Sequence, residues 1–372
     1  MKRGLSLLAA CSVLLLTAEA EVLDGPAPIP VRNDKSTRVK TDKLFVVTAL
    51  YRNLPFSVNS GAMLGKLQRQ YRQAGVRIFG VFGDDGATVR AFAARHPEFD
   101  FTLCADPSFR TFTALTGGDA NAFSRATIVN EDGKTLWSGD PVDLAMMLEH
   151  ITKDRYSESE EARLAELNTA LQAALRSGES SLIEQAADKI LAVRPEQISA
   201  LNAKAFALEN RRDYASLGAF LKRRVRRHPA MPEAWYMLID LSCRVPLLAN
   251  ELPEAVRGFF RQFPDNAEGK IAVVWNLLNN APQQSLPLIL ASEGLSELAR
   301  QEAAIPGSAR SRYLAARALY SCRTGDLDAA IRDSEEAVAA AGSEAEKVYL
   351  KTFLEYYRTA RTLGAKKALP KK

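Results

Sequence analysis

The sequence predicts an α/β domain followed by an all-α domain of repeated helix pairs, and three observations carry this. Two short apolar runs, 43–50 and 75–82, flank a segment of helical spacing at 61–71, in the order strand, loop, helix, strand. From Glu160 to Leu363 nothing alternates like a strand and glycines are few. Within that stretch Pro195, Pro229 and Pro264 each close a helical pattern, at spacings of 34 and 35 residues. A chain of 372 residues favours two domains over one. With 47% hydrophobic and 25% charged residues, its composition is that of a globular chain and excludes a disordered or fibrous one.

The first twenty residues have the layout of a signal peptide. Lys2 and Arg3 precede an apolar run from Leu5 to Leu16, and Ala18-Glu-Ala20 supplies the small residues for cleavage before Glu21. No later stretch is apolar for long enough to span a bilayer. The expectation is an exported protein of the bacterial periplasm or cell envelope, soluble after cleavage near Ala20 and without a transmembrane helix. Leu8-Ala-Ala-Cys11 offers a second reading, a lipobox with Cys11 as the lipid anchor; the apolar run that continues from Ser12 to Leu16 argues against it. Cleavage would lower the formal charge from +5 to +4, which selects no partner. Lys222-Arg-Arg-Val-Arg-Arg-His228 spreads around more than one helix face and reads as solvated surface, and export argues against nucleic acid.

Residues 21–42 read as an extended leader with little reason to pack. The α/β domain is expected over 43–152. After the second strand, Ala87–Arg95 is helical and stops at Pro97; Phe99–Leu103 alternates like a strand, and Pro107–Leu115 is helical again. Arg125–Val129 and Lys134–Trp137 flank Asn130-Glu-Asp-Gly133, whose Asp-Gly supplies the positive φ of a tight hairpin. Asp143–Ile151 closes the domain as an amphipathic helix.

Together these residues resemble the redoxin/TlpA-like branch of the thioredoxin superfamily over about 110 residues. The passage Ala126-Thr-Ile-Val-Asn-Glu-Asp-Gly-Lys-Thr-Leu-Trp-Ser-Gly-Asp-Pro141 carries most of the likeness, and Gly80-Val-Phe-Gly-Asp-Asp85 stands where the family has its second strand and acidic loop. The resemblance implies a thioredoxin-like fold, and the departures from it bear on function. Aligned on Ala49 and Tyr51, the two cysteines of the family's Cys-x-x-Cys become Arg52 and Pro55, and its cis-proline falls near Ser124. Disulfide exchange needs a thiolate of lowered pKa at the helix N-terminus, which neither Arg52 nor Pro55 supplies. Residues 51–65 hold no cysteine for a peroxiredoxin-type site either. The expectation is a degenerate, non-catalytic site, with Tyr51, Arg52, Asn53, Pro55 and Ser124 lining a groove reused for partner binding. The alternative is a thiol–disulfide oxidoreductase or peroxide-related protein using Cys104 or a partner's thiol. Cys104, Cys243 and Cys322 follow the cleavage point, each in an apolar or helical context, and read as buried thiols.

The helical stretch over 160–363 resembles tetratricopeptide repeats, whose period is 34 residues with proline closing the second helix. Leu201–Leu208 with Asp213–Leu221 forms one pair, and Ala234-Trp-Tyr opens the next. Gly325-Asp-Leu-Asp-Ala-Ala-Ile-Arg-Asp-Ser-Glu-Glu-Ala-Val338 is the strongest match, with Gly325 at the turn. Residues 266–306 fit poorly, and Pro282, Pro287 and Pro306 suggest an irregular pair there. Residues 364–372 read as a basic tail. The resemblance implies a protein or peptide partner held by the repeats; the plainer reading is an array that only supports the first domain, and a purely structural envelope role follows if Cys11 is lipidated. The histidines His96, His150 and His228 have no metal-ligand spacing, Gly83-Asp-Asp-Gly86 reads as a turn and helix cap, and no cofactor or metal is implied.

Overall fold

The computed structural model describes residues 21–27, 43–51, 55–96, 99–116, 125–280 and 285–368. The predicted signal peptide with Cys11, most of the leader and residues 369–372 lie outside them. The amino-terminal part of the chain carries strands β1 (Val22–Asp24), β2 (Leu44–Leu50), β3 (Val76–Phe82), β4 (Thr102–Ala105), β5 (Ala126–Asn130) and β6 (Thr135–Gly139), and helices α1 (Pro55–Tyr71), α2 (Gly86–Ala93) and α3 (Arg110–Thr116). They form a six-stranded sheet in the order β1-β4-β3-β2-β5-β6, with β1, β4, β3 and β2 parallel and β5 antiparallel to β2. All seven residues of β2 are buried, as expected of a central strand covered on both faces. Phe45, Val47 and Ala49 pack on one face with Phe79, Val81, Cys104, Phe112 and Val129.

Two features complete the hydrogen bonding of this sheet. Gln68 of α1 donates from Nε2 to the Val76 carbonyl (2.9 Å) and accepts from the Ile78 amide (2.7 Å), so a side chain satisfies β3 before its pairing with β4 begins. The start of the leader corrects its expectation: β1 pairs with β4, Leu103 N–H donates to the Glu21 carbonyl at 2.8 Å, and Ala27 N–H donates to Thr111 Oγ1 at 2.8 Å. Val22 and Leu23 supply the apolar pair, and the parallel edge of β4 supplies the backbone partners that no local pattern announces. The hairpin forms where expected, with Gly133 at φ 76° and Asn130 Oδ1 accepting from the Lys134 amide.

The chain divides inside β6, into Met1–Leu136 and Trp137–Lys372, ahead of the expected 153–159 junction. Helix α4 (Leu144–Thr152) thus clusters with the helices that follow it: α5 (Glu158–Ser177), α6 (Ser180–Val193), α7 (Ile198–Asn210), α8 (Tyr214–Arg227), α9 (Pro232–Arg244), α10 (Leu252–Gln262), α11 (Ala267–Asn280), α12 (Ser285–Arg300), α13 (Gly307–Thr324), α14 (Leu327–Ala339) and α15 (Glu344–Ala368). The reason is local. Asp143, ahead of α4, accepts from the amides of Ile198 (2.7 Å) and Ser199 (3.1 Å) and from Ser199 Oγ (2.5 Å), capping α7. His150 Nε2 meets Glu196 at 3.0 Å, and Arg194 reaches Met147 Sδ at 3.2 Å.

The period read in the sequence is a repeated junction. Helices α6, α8 and α10 end at Arg194, His228 and Phe263, each in nearly the same backbone conformation (φ −127°, −131° and −124°) and each followed by proline. A turn then closes identically, with the amides of Gln197, Met231 and Asn266 donating to those three carbonyls at 3.1–3.2 Å. The carbonyl of each proline takes a different donor: Arg224 for Pro195 (3.1 Å), Trp235 Nε1 for Pro229 (2.9 Å) and Lys270 for Pro264 (2.5 Å). Lys270 is fully buried, paired with Glu297 and beside the Phe260 ring.

Residues 266–306 correct the expected irregularity: α11 and α12 are ordinary helices. Pro287 lies in the first turn of α12 and Pro306 caps α13, positions where a missing N–H costs nothing; Pro282 lies outside the described residues. Gly325, at φ 90°, ends α13, and Asp326 caps α14 through the Ala329 amide (2.9 Å), as the sequence motif implies. Helix α15 runs on through 364–368, the first half of the expected basic tail.

Candidate functional site

Of the five residues expected to line a groove, Tyr51 follows β2 and packs half-buried against the sheet core; burial raises its phenol pKa. Pro55 opens α1, and its side chain lies outside the described residues, as do Arg52, Asn53 and Ser124 altogether. The structure therefore does not bring these five together or hold them apart. Nearby, Asp85 caps α2 through the Thr88 amide (2.9 Å) and hydroxyl (3.0 Å), so one carboxylate of the Gly83–Gly86 turn is engaged as a helix cap. No group of three or more His, Cys, Asp or Glu side chains able to hold a metal occurs among the described residues.

All three thiols are shifted toward their protonated form. Cys104 is fully buried in the sheet core, and burial, followed by the carboxylates of Asp106 and Glu21, pushes its thiol up to about 12. Burial and then Asp240 push Cys243 likewise to about 12, and burial raises Cys322. A thiol held so high carries almost no nucleophilic thiolate near neutrality.

The helical unit presents a different kind of surface. Alternate helices stack, and residues one period apart meet across them. Arg244 on α9 bonds Glu209 on α7 (2.9 Å), and Asp240 on α9 accepts from Asn276 (3.2 Å) and Asn280 (3.0 Å) on α11. Farther along, Ser311 on α13 donates to Glu346 on α15 (2.6 Å). These contacts span 35, 36, 40 and 35 residues, so most follow the repeat length while Asn280 reaches one helical turn beyond it. Phe206 on α7 stays half exposed (49%).

The face ends in a cavity of about 380 Å³ between α11, α13 and α15. Ile271, Trp275 and Tyr349 form much of its wall, with Glu268, Arg312 and Glu346 among its polar groups. Phe353 braces the two large rings edge-on, at 5.9 Å from Trp275 and 5.1 Å from Tyr349 between ring centres. A wider groove of about 940 Å³ lies between α10 and α12, and both of its carboxylates are engaged within the fold: Glu293 pairs with Arg257 and Glu297 with the buried Lys270. The sequence did not point to the smaller cavity, because its wall comes from three separate segments. The Ser343-x-x-Glu346 capping pattern followed by Tyr349 and Phe353 was the one local signal available.

No protein-family model matches the chain, and no curated protein matches it. Among solved structures, yeast Tom70 is similar at a TM-score of 0.35 and 16% identity, over 52% of this chain and 39% of that chain. The chain thus spans well under two thirds of the length of that protein.

Proposed function

We propose that the chain is an exported, non-catalytic protein-binding protein, in which a thioredoxin-like unit without Cys-x-x-Cys precedes tetratricopeptide-like repeats that hold a protein or peptide partner. The carrying observation is the stack of alternate helices, joined one period apart and ending in an aromatic-walled cavity. The strand order supports the thioredoxin-like part: a parallel β4-β3-β2 core continued by an antiparallel hairpin, with a helix starting where the family places its motif. The recurring proline junctions support the repeat part. The buried, high-pKa thiol of Cys104 supports the absence of redox chemistry. No helix among the described residues is long and apolar enough to cross a membrane.

The test is capture by in-cell cross-linking of the full chain, beside Trp275→Ala and a Tyr51→Ala/Arg52→Ala pair. Specific cross-links lost in Trp275→Ala support the helical face. Loss in the pair alone moves the site to the sheet unit, and no specific cross-link in any form removes the binding role. Thiol–disulfide exchange is measured alongside a Cys104→Ser variant. Turnover that disappears in the variant would overturn the non-catalytic reading. Amino-terminal sequencing of the exported protein is expected to begin at Glu21.

A further inference from the structure

We propose that the cavity between α11, α13 and α15 receives an arginine side chain presented by an extended segment of the partner protein. This rests on the partner-binding reading and adds the chemistry the partner must offer.

Four properties converge on a cation with an apolar stem. First, Trp275 and Tyr349 present large aromatic surfaces, held in place by Phe353, and such faces attract a cation through their quadrupoles. Second, the ionic lining is two carboxylates against one guanidinium, so its net charge is negative. Arg312 meets Glu268 at 4.0 Å, so the one guanidinium of the lining is shared with a carboxylate already there. Third, Glu346 is anchored by neutral donors, with Ser311 Oγ at 2.6 Å and the Gly342 amide at 2.8 Å, one to each carboxylate oxygen. Those bonds fix its position without cancelling its charge, and each oxygen can accept a second bond. Fourth, Ile271 and its apolar neighbours suit the methylene stem that arginine and lysine lay along hydrophobic surface. A volume of about 380 Å³ accommodates one long side chain with its flanking backbone. Arginine is favoured over lysine because a planar guanidinium stacks on rings and bonds a carboxylate with two parallel donors. An acidic guest would face Glu268 and Glu346 with Arg312 alone in its favour.

The probes are blocked hexapeptides identical except for Arg, Lys, norleucine or Glu at the third position, titrated calorimetrically into the full chain. The arginine peptide is expected to bind about tenfold tighter than the norleucine one, with lysine between them and glutamate weakest. Glu346→Gln keeps the bond from the Gly342 amide and holds Ser311 with the hydroxyl accepting from its Nε2, and Glu268→Gln leaves the cavity's shape; each is expected to reduce the arginine preference several-fold. Arg312→Ala is expected to increase it. Thermal melts of the variants separate lost binding from lost folding. Equal binding of the arginine and norleucine peptides, preference for glutamate, weakening by Arg312→Ala, or no binding of the arginine peptide overturns the inference. Where peptides bind without a basic preference, partner binding survives and only the arginine assignment falls.

Discussion

Asp143 shows how one side chain can decide where a unit begins. It is 2% exposed, and burial pushes its carboxyl up to about 6 even though Ser199 and Ile198 donate to it. A raised carboxyl pKa means the folded chain holds the proton more tightly than the unfolded one. The favourable contribution is therefore complete below about 4 and is lost as pH rises to about 6, on the order of 2–3 kcal/mol at most. Asp143→Asn keeps the two backbone bonds and removes the titration. Its stability is expected to match or exceed the parent at pH 7, and to be flatter between pH 4 and 6 in denaturant titrations. Asp143→Ala leaves two helix-start amides without their acceptor and is expected to cost about 1–3 kcal/mol at about pH 4, the difference shrinking as pH rises to about 6. The thiols make a kinetic prediction. With Cys104 and Cys243 buried and their thiols at about 12, both are expected to react with an aromatic disulfide reagent only at the rate of global unfolding.

Among the elements, contact between α9 and α10 depends on a missing side chain. A methyl at Gly258 would stand 2.5 Å from the Trp235 ring, so Gly258→Ala must push the indole away from its packing and from the Pro229 carbonyl. The expected cost is about 1–3 kcal/mol, read as a lower melting temperature with little change in helix content at room temperature. Elements whose signals are local were legible in advance: the Asn130–Gly133 hairpin, the Gly325–Asp326 turn, and the helices stopped at Pro195, Pro229 and Pro264. Strand β1 was not, because three residues become a strand only when β4 offers its edge. The helices over 266–306 were misread because proline is disruptive inside a helix but tolerated at its start, and boundaries alone distinguish the two. The cavity was invisible for the same reason as β1: Glu268, Arg312 and Glu346 are far apart in sequence and meet only after stacking.

For the whole molecule, the division within β6 changes how the chain can be cut. A fragment starting at 158 contains every helix from α5 onward but lacks the Asp143 cap, the His150–Glu196 pair and the Met147 contact to Arg194. A fragment starting at 140 retains all three. The shorter one is expected to be less stable by about 1–3 kcal/mol, with faster hydrogen exchange at the first amides of α7. Equal stability of the two would show that α4 is dispensable to the helices.

The three proline carbonyls have a consequence for modularity. Backbone geometry at the junctions is nearly interchangeable, yet the donors are an arginine from the second helix onward, an indole from the next helix and a buried ammonium, each with its own surroundings. Exchanging the α7–α8 pair with the α9–α10 pair would preserve the period and the closing turn while separating carbonyls from the groups that answer them. The repeats are alike as shapes and individual as chemistry, so their order along the chain is written into the junctions.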